Sequence, residues 1–123
     1  MERKKLVHEQ HERVLFATEV FAIQGAIYEV NLQMGAGFLE AVYQECLALE
    51  FASRDIPFVA EAPLALTYRV QPLKQAYRAD FVCYGSIVVE LKALAAIIPQ
   101  HRAQMLNYLR VTGLKLGLLV NFG

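Results

Sequence analysis

Residues 78–92 decide the fold: Arg78-Ala79-Asp80-Phe81-Val82-Cys83-Tyr84-Gly85-Ser86-Ile87-Val88-Val89-Glu90-Leu91-Lys92. Two runs rich in Val, Ile, Phe and Tyr flank Gly85-Ser86, which is the composition and punctuation of a β-hairpin. Positions 80 and 90 are equidistant from position 85, so a simple register sets Asp80 directly opposite Glu90. Strand alternation puts Glu90 and Lys92 on one face and Val89 and Leu91 on the other. A carboxylate and an ammonium among β-branched residues are costly unless that face has polar work to do. Two carboxylates side by side raise each other's pKa unless a divalent cation lies between them. Hard oxygen donors suit Mg2+, or Mn2+, rather than Zn2+. Lys92 would then orient and polarise an attacking water. A surface hairpin with a screened Asp-Glu-Lys salt bridge gives the same short pattern, so the pattern alone does not choose.

Upstream, Leu64 to Val70 alternates apolar with polar residues, and Gln71-Pro72 reads as the turn into a strand over Gln75 to Tyr84. With Ile87 to Leu91 these form an antiparallel meander. Before it, Val7 to Asn31 carries apolar residues at helical spacing, in a stripe broad enough to predict burial on more than one side. Met34-Gly35-Ala36-Gly37 breaks that helix. A second runs from Phe38 to Ser53 and stops ahead of Pro57. Downstream, Pro99 opens a helix to Thr112 with Gly113 as its cap, and Leu116 to Phe122 suits a strand buried on both faces. The expectation is one α/β domain over residues 1–123, in the order α-α-β-β-β-α-β, with no repeat or linker.

Composition bounds the function. With 56% hydrophobic residues in 123, the composition predicts a well-filled core rather than a disordered chain. The apolar excess also points to surface buried beyond the monomer, as in a homodimer. Cys46 and Cys83 fit no metal spacing and read as core. Met1-Glu2-Arg3-Lys4-Lys5 and the mixed polar residues after it do not read as a secretory leader, and no stretch reaches the roughly 18 uncharged apolar residues of a membrane span, so neither is expected. A reduced, cytoplasmic compartment is the expectation. The formal net charge of +0 is split: five Lys/Arg against ten Asp/Glu over residues 1–61, then seven against two over 62–123. The basic half holds the hairpin motif.

Two further constellations are weak singly. His101, Gln104 and Tyr108 stand at i, i+3 and i+7, so they share a helix face that could line the cleft. Met105, Leu106 and Leu109 would pack inward, and Arg78 and Arg102 would border the cleft. A solvated helix face accounts for the same residues. Gly37, Glu40 and Tyr43 open the second helix, with the glycine expected to let the backbone approach another element closely. Glu40 also suits a helix N-terminus on dipole grounds alone. His8 and His11 lie in a charged stretch and are assigned nothing.

Taken together, the order Gly37-x-x-Glu40-x-x-Tyr43, Arg78-Ala79-Asp80, Glu90-Leu91-Lys92 and Gln104-x-x-x-Tyr108 closely resembles the GxxExxY family of small bacterial and archaeal proteins. That family is assigned to the PD-(D/E)xK nuclease superfamily. The resemblance spans roughly residues 15 to 123 and includes the terminal Gly117 to Gly123. It departs from the superfamily's name at Ala79, which stands where a proline would.

The resemblance implies a restriction-endonuclease-like core, a mixed sheet of about four strands flanked by helices. It implies that Asp80, Glu90 and the Leu91 carbonyl bind Mg2+, with Glu40 as a further carboxylate at the ion or its water shell. Lys92 would position the nucleophilic water. Gln104 and Tyr108, with Tyr43 and Arg78, would contact nucleic acid or support the site. The function implied is metal-dependent phosphodiester hydrolysis of DNA or RNA. The alternative is a non-catalytic nucleic-acid-binding or protein-assembly module on the same fold. A module free of catalytic duty would be expected to have lost Lys92 or a carboxylate, and neither is missing.

Overall fold

The computed structural model describes residues 5–7 and 16–123. Residues 8–15 of the expected first helix, with His8 and His11, lie outside the described residues. Strand β1 (Lys5–Val7) precedes helices α1 (Ala17–Met34) and α2 (Glu40–Ser53). Strands β2 (Phe58–Tyr68), β3 (Gln71–Cys83) and β4 (Ile87–Lys92) follow, then α3 (Pro99–Thr112) and β5 (Leu116–Asn121). The sheet order is β1-β5-β4-β3-β2. The β4–β5 pair is parallel, with α3 as crossover, and the other pairs are antiparallel. The sheet is therefore mixed, as expected, with β1 as a fifth strand that the periodicity of the N-terminal segment hides.

Helices cover both faces. Val20, Ile23, Ala26, Ile27 and Val30 of α1, with Tyr43, Leu47 and Phe51 of α2, bury the face carrying Phe81, Val89, Leu91 and Val120. Met105 and Leu109 of α3 cover the other face over Leu64, Ala79, Val88 and Leu119. Gly117 leaves room for the Met105 side chain, so α3 lies close on β5. All six β5 residues are buried, which explains their uninterrupted apolar run. Pro99 occupies the first turn of α3, and Gly113, at φ 77, closes it by donating its N–H to the Leu109 carbonyl.

Several expectations are corrected. Helix α1 is buried on one side, not several: Phe21, 78% exposed, and Leu32, 59% exposed, face outward. Leu106 does not pack inward but is 49% exposed, because it lies a helical step off the face that Met105 and Leu109 define. The β2–β3 turn is Arg69-Val70, with Tyr68 paired to Gln71, and Pro72 sits inside β3 opposite Thr67. Pro72 is tolerated there because β3 beyond Ala76 has only one strand neighbour. The β3–β4 turn centres on Tyr84 and Gly85, both at positive φ, one residue earlier than read. Among the described residues no helix is long and apolar enough to cross a membrane.

Candidate active site

The β3–β4 ladder has three rungs, Cys83↔Ile87, Val82↔Val88 and Phe81↔Val89. Continued by one step, it brings Asp80 beside Glu90, the register read from residues 78–92. The strands do not close that rung through backbone groups. The Asp80 N–H donates to Glu90 Oε1 at 2.7 Å, and the Leu91 N–H donates to Asp80 Oδ2 at 2.8 Å. Each carboxylate thus satisfies a backbone donor that the parting strands leave without a ladder partner. The two side chains are held together by a reciprocal lock at the point where the sheet splays.

Burial dominates the electrostatics. It pushes the Glu90 carboxyl from 4.5 up to about 7; Asp80's charge adds to the rise, while the Tyr77 hydrogen bond and Lys92 oppose it. Asp80 is also raised, first by burial and then by the charge of Glu40, against its bond from Leu91 and the pull of Lys92. Lys92 is half-buried and within electrostatic reach of both carboxylates. It is not closed into an ion pair with either; among the described residues the one ion pair is Arg54–Glu50. The screened salt bridge that a surface hairpin would show is absent there.

Helix α2 brings its first turn toward this point. Glu40 is exposed, and Gln44 one turn on donates to the Asp80 carbonyl at 3.4 Å. Glu40 lies near enough to act on Asp80 by charge, yet no cluster of three or more Asp, Glu, His or Cys is preformed among the described residues. Gly37 serves a different purpose from the expected close approach: a Cβ there would meet open space, and its φ of 108 is what excludes other residues. Tyr43 is fully buried, stacked on Phe122 at 4.4 Å between centroids. Its hydroxyl donates to the Gly35 carbonyl and accepts from the Phe38 N–H. It braces the loop ahead of Glu40 and presents nothing to a substrate.

On the opposite face of the sheet, α3 supplies Gln104 and Tyr108, joined by a 3.3 Å hydrogen bond. Tyr108 stacks on Tyr77 of β3, with centroids 3.4 Å apart and 13° between planes. The Tyr77 hydroxyl in turn bonds Glu90; burial first, and then that carboxylate, raise its pKa. A continuous path therefore runs from Gln104 through Tyr108 and Tyr77 to Glu90. Tyr77 escaped the sequence reading: it stands three residues before Asp80, a spacing that regular strand alternation assigns to the opposite face, so no local signal marked it. The His101 side chain is engaged locally, its Nδ1 accepting from the Ile98 N–H at the start of α3. Arg78 is exposed and donates to the Glu61 carbonyl.

Beyond Lys92 the chain is clamped. Asn121, the buried polar residue of β5, accepts from the Leu94 N–H and donates to the Leu94 carbonyl, each at 3.0 Å. Phe122 donates its N–H to the Lys92 carbonyl. A recess of about 420 Å³ opens beside this segment, between Phe38 and Leu39 ahead of Glu40 and Ala93 and Leu94 after Lys92. Cys83 is free and buried, its thiol pushed up to about 12 by burial, so it is no nucleophile.

The donor chemistry fits a hard divalent cation. Two carboxylates are held together at a cost that burial and repulsion impose on their charged forms, and only one oxygen of each is tied to a backbone N–H. No curated protein and no solved structure matches the chain. A family model described as the PD-(D/E)XK nuclease superfamily matches residues 17–123, which take in α1 through β5 and every site residue above. The restriction-endonuclease-like core expected from the motifs agrees with the mixed sheet and its flanking helices, and the chain belongs to the PD-(D/E)XK nuclease superfamily.

Proposed function

We propose that the protein is a metal-dependent nuclease of the GxxExxY type, cleaving phosphodiester bonds at the Asp80–Glu90–Lys92 site. The reciprocal lock between the two carboxylates, with an unpaired lysine at its side, is the observation that carries this reading. Asp80 and Glu90, with the Leu91 carbonyl, would hold Mg2+ or Mn2+. Such an ion supplies stabilisation of the charge that builds on the scissile phosphate. Lys92 donates hydrogen bonds that orient the attacking water, and Glu40 reaches the same water shell from α2. Tyr77 fixes the Glu90 carboxylate, and Tyr108 and Gln104 extend that support to the nucleic-acid side of α3. Arg78 contacts phosphate. Nucleic-acid chemistry and two free cysteines suit a cytoplasmic protein.

The test is a melting curve of wild type and Asp80→Asn with and without Mg2+, alongside digestion of single- and double-stranded DNA and RNA. Magnesium should raise the wild-type Tm, leave Asp80→Asn unmoved, and license cleavage that Lys92→Ala abolishes. Equal stabilisation of both proteins, or of neither, removes Asp80 from the ligand set and the nuclease reading with it.

The outward Phe21 and Leu32 of α1 support a second reading, an assembly module that buries this stripe in a homodimer. Sedimentation of wild type and Phe21→Glu decides it: a dimer that the substitution dissociates favours assembly, and a monomer in both dismisses it.

A further inference from the structure

Beyond Ala65 and Ala76, β2 and β3 pair only with each other. The β4 strand meets β3 at Phe81, Val82 and Cys83, and α3 covers the ribbon at Leu64 and Tyr77. From position 65 to position 76 every residue is exposed except the half-buried Leu66. A two-stranded ribbon wet on both faces is marginal by itself. This one also carries an unfavourable turn, with Arg69 at φ 50 and Val70 at φ 59. Two-residue turns of that handedness favour Asn-Gly, and a β-branched residue there is strained. Val70 nevertheless sits at the apex, 90% exposed, beside Tyr68, which is 63% exposed with the Arg69 guanidinium 5.6 Å from its ring centroid.

The charge of the ribbon is one-sided. Between Glu61 and Asp80 the chain carries Arg69, Lys74 and Arg78 and no carboxylate. The ribbon is thus a cationic projection in a protein of zero formal net charge. It is built on the same strand as Asp80, and at about 3.3 Å per residue its tip lies roughly 30–33 Å from that residue. A ribbon of two strands is narrow enough for the roughly 12 Å major groove of duplex DNA, whereas the major groove of A-form RNA is too narrow and deep.

We propose that the free end of the β2–β3 ribbon is an arm that grips duplex DNA: Arg69 and Lys74 hold phosphates, while Tyr68 and Val70 lie against base edges in the groove. The proposal rests on the nuclease reading, to which it adds the substrate's form and a second point of contact. Phosphate contacts from exposed cations set affinity and its salt dependence. The apolar tip is the part that strain and exposure mark as kept for contact rather than for folding.

The test uses the full chain with Asp80→Asn, which prevents cleavage, and a labelled DNA duplex longer than the arm's reach. Anisotropy titrations over a salt series compare it with the same chain carrying Arg69→Glu and Lys74→Glu. Double charge reversal should weaken binding by about tenfold or more and lower the slope of log affinity against log salt by about two. Replacing Arg69-Val70 with Asn-Gly, which the turn prefers, should weaken binding about threefold while keeping the ribbon folded. Unchanged affinity after charge reversal overturns the proposal, as does tighter binding of RNA or single-stranded DNA, or no duplex binding at all. A drop in oligomer mass on charge reversal also overturns it and makes the ribbon a self-association arm. Magnesium-induced stabilisation, measured with Asp80 intact, should survive both arm variants. Its absence from wild type would sink the catalytic reading without touching the arm's affinity loss, so the two failures separate.

Discussion

Strand β4 and the outer half of β3 are both regular β-structure, yet they share almost no physics. In β4, Ile87, Val88, Val89 and Leu91 are buried, and only Glu90 and Lys92 retain exposure. In β3 the first six residues, Gln71 to Ala76, are all exposed. One strand lies between two neighbours and two helical layers; the other is held by a single partner. Asp80 stands where β3 passes from one regime to the other. There the backbone donors of Asp80 and Leu91 lose ladder partners in a buried setting, and carboxylates fill the gap. A polar site is thus placed at the seam of the fold, where leaving it out would also cost unsatisfied N–H groups.

The largest expected effect tests the contrast in stability. Phe81 is fully buried, with edge contacts to Phe51 and Phe58, so Phe81→Ala should cost about 3–5 kcal/mol in urea unfolding. Leu73→Ala, only eight positions away along the strand, should change stability by about 0.5 kcal/mol or less. Comparable losses would mean the outer ribbon has a core of its own, and the contrast would fall.

Much of the seam is legible in the sequence because it obeys local rules. The symmetry of Asp80 and Glu90 about position 85 survives in the ladder sums, and the apolar run of β5 reports its double burial. The Pro99 and Gly113 signals bound α3 at the expected residues. What escapes depends on neighbours distant in sequence. Whether Phe21 or Leu106 faces a partner cannot be read from period alone when the apolar stripe is wider than the face it meets. The Arg69-Val70 turn escapes because it defies turn chemistry, while Pro72 offers a false signal nearby. Tyr77 reads as an ordinary strand residue until α3 sets Tyr108 on its ring.

Acidity gives the next effect. Glu90 keeps its proton to about pH 7 in the folded chain against 4.5 as its ordinary value. Between those limits the folded state binds more protons, so metal-free stability should fall as pH rises from about 5 to 7 and then level off. The loss should be on the order of 2 kcal/mol, and Glu90→Gln should flatten it. Excess magnesium competes with the proton, so its stabilisation should grow over the same interval. A metal-free Tm that climbs from pH 5 to pH 8 would contradict the burial assigned to Glu90.

Support from the α3 side should be smaller. Tyr77→Phe keeps the stack on Tyr108 and removes one hydrogen bond to Glu90, a change of about 1 kcal/mol. Calorimetry should show Mg2+ affinity lowered about fivefold with little loss of fold stability. A larger stability loss with unchanged Mg2+ affinity would make Tyr77 a packing residue only.

The smallest effect lies at the tip and has the opposite sign. Val70 holds φ 59 with 90% of its surface exposed, so glycine there removes backbone strain and almost no packing. Glycine also loosens the unfolded chain, which offsets part of the gain. The balance should favour Val70→Gly by about 0.5–1 kcal/mol. Gly113 supplies the mirror experiment: it too has positive φ, at 77, with open space where a Cβ would stand. Gly113→Ala should therefore cost about 1 kcal/mol by strain alone. Opposite signs at two open, left-handed positions would isolate backbone conformation as the cause. If Val70→Gly instead destabilises, the side chain at the apex contributes to folding, and its exposure would no longer mark it as held for a partner.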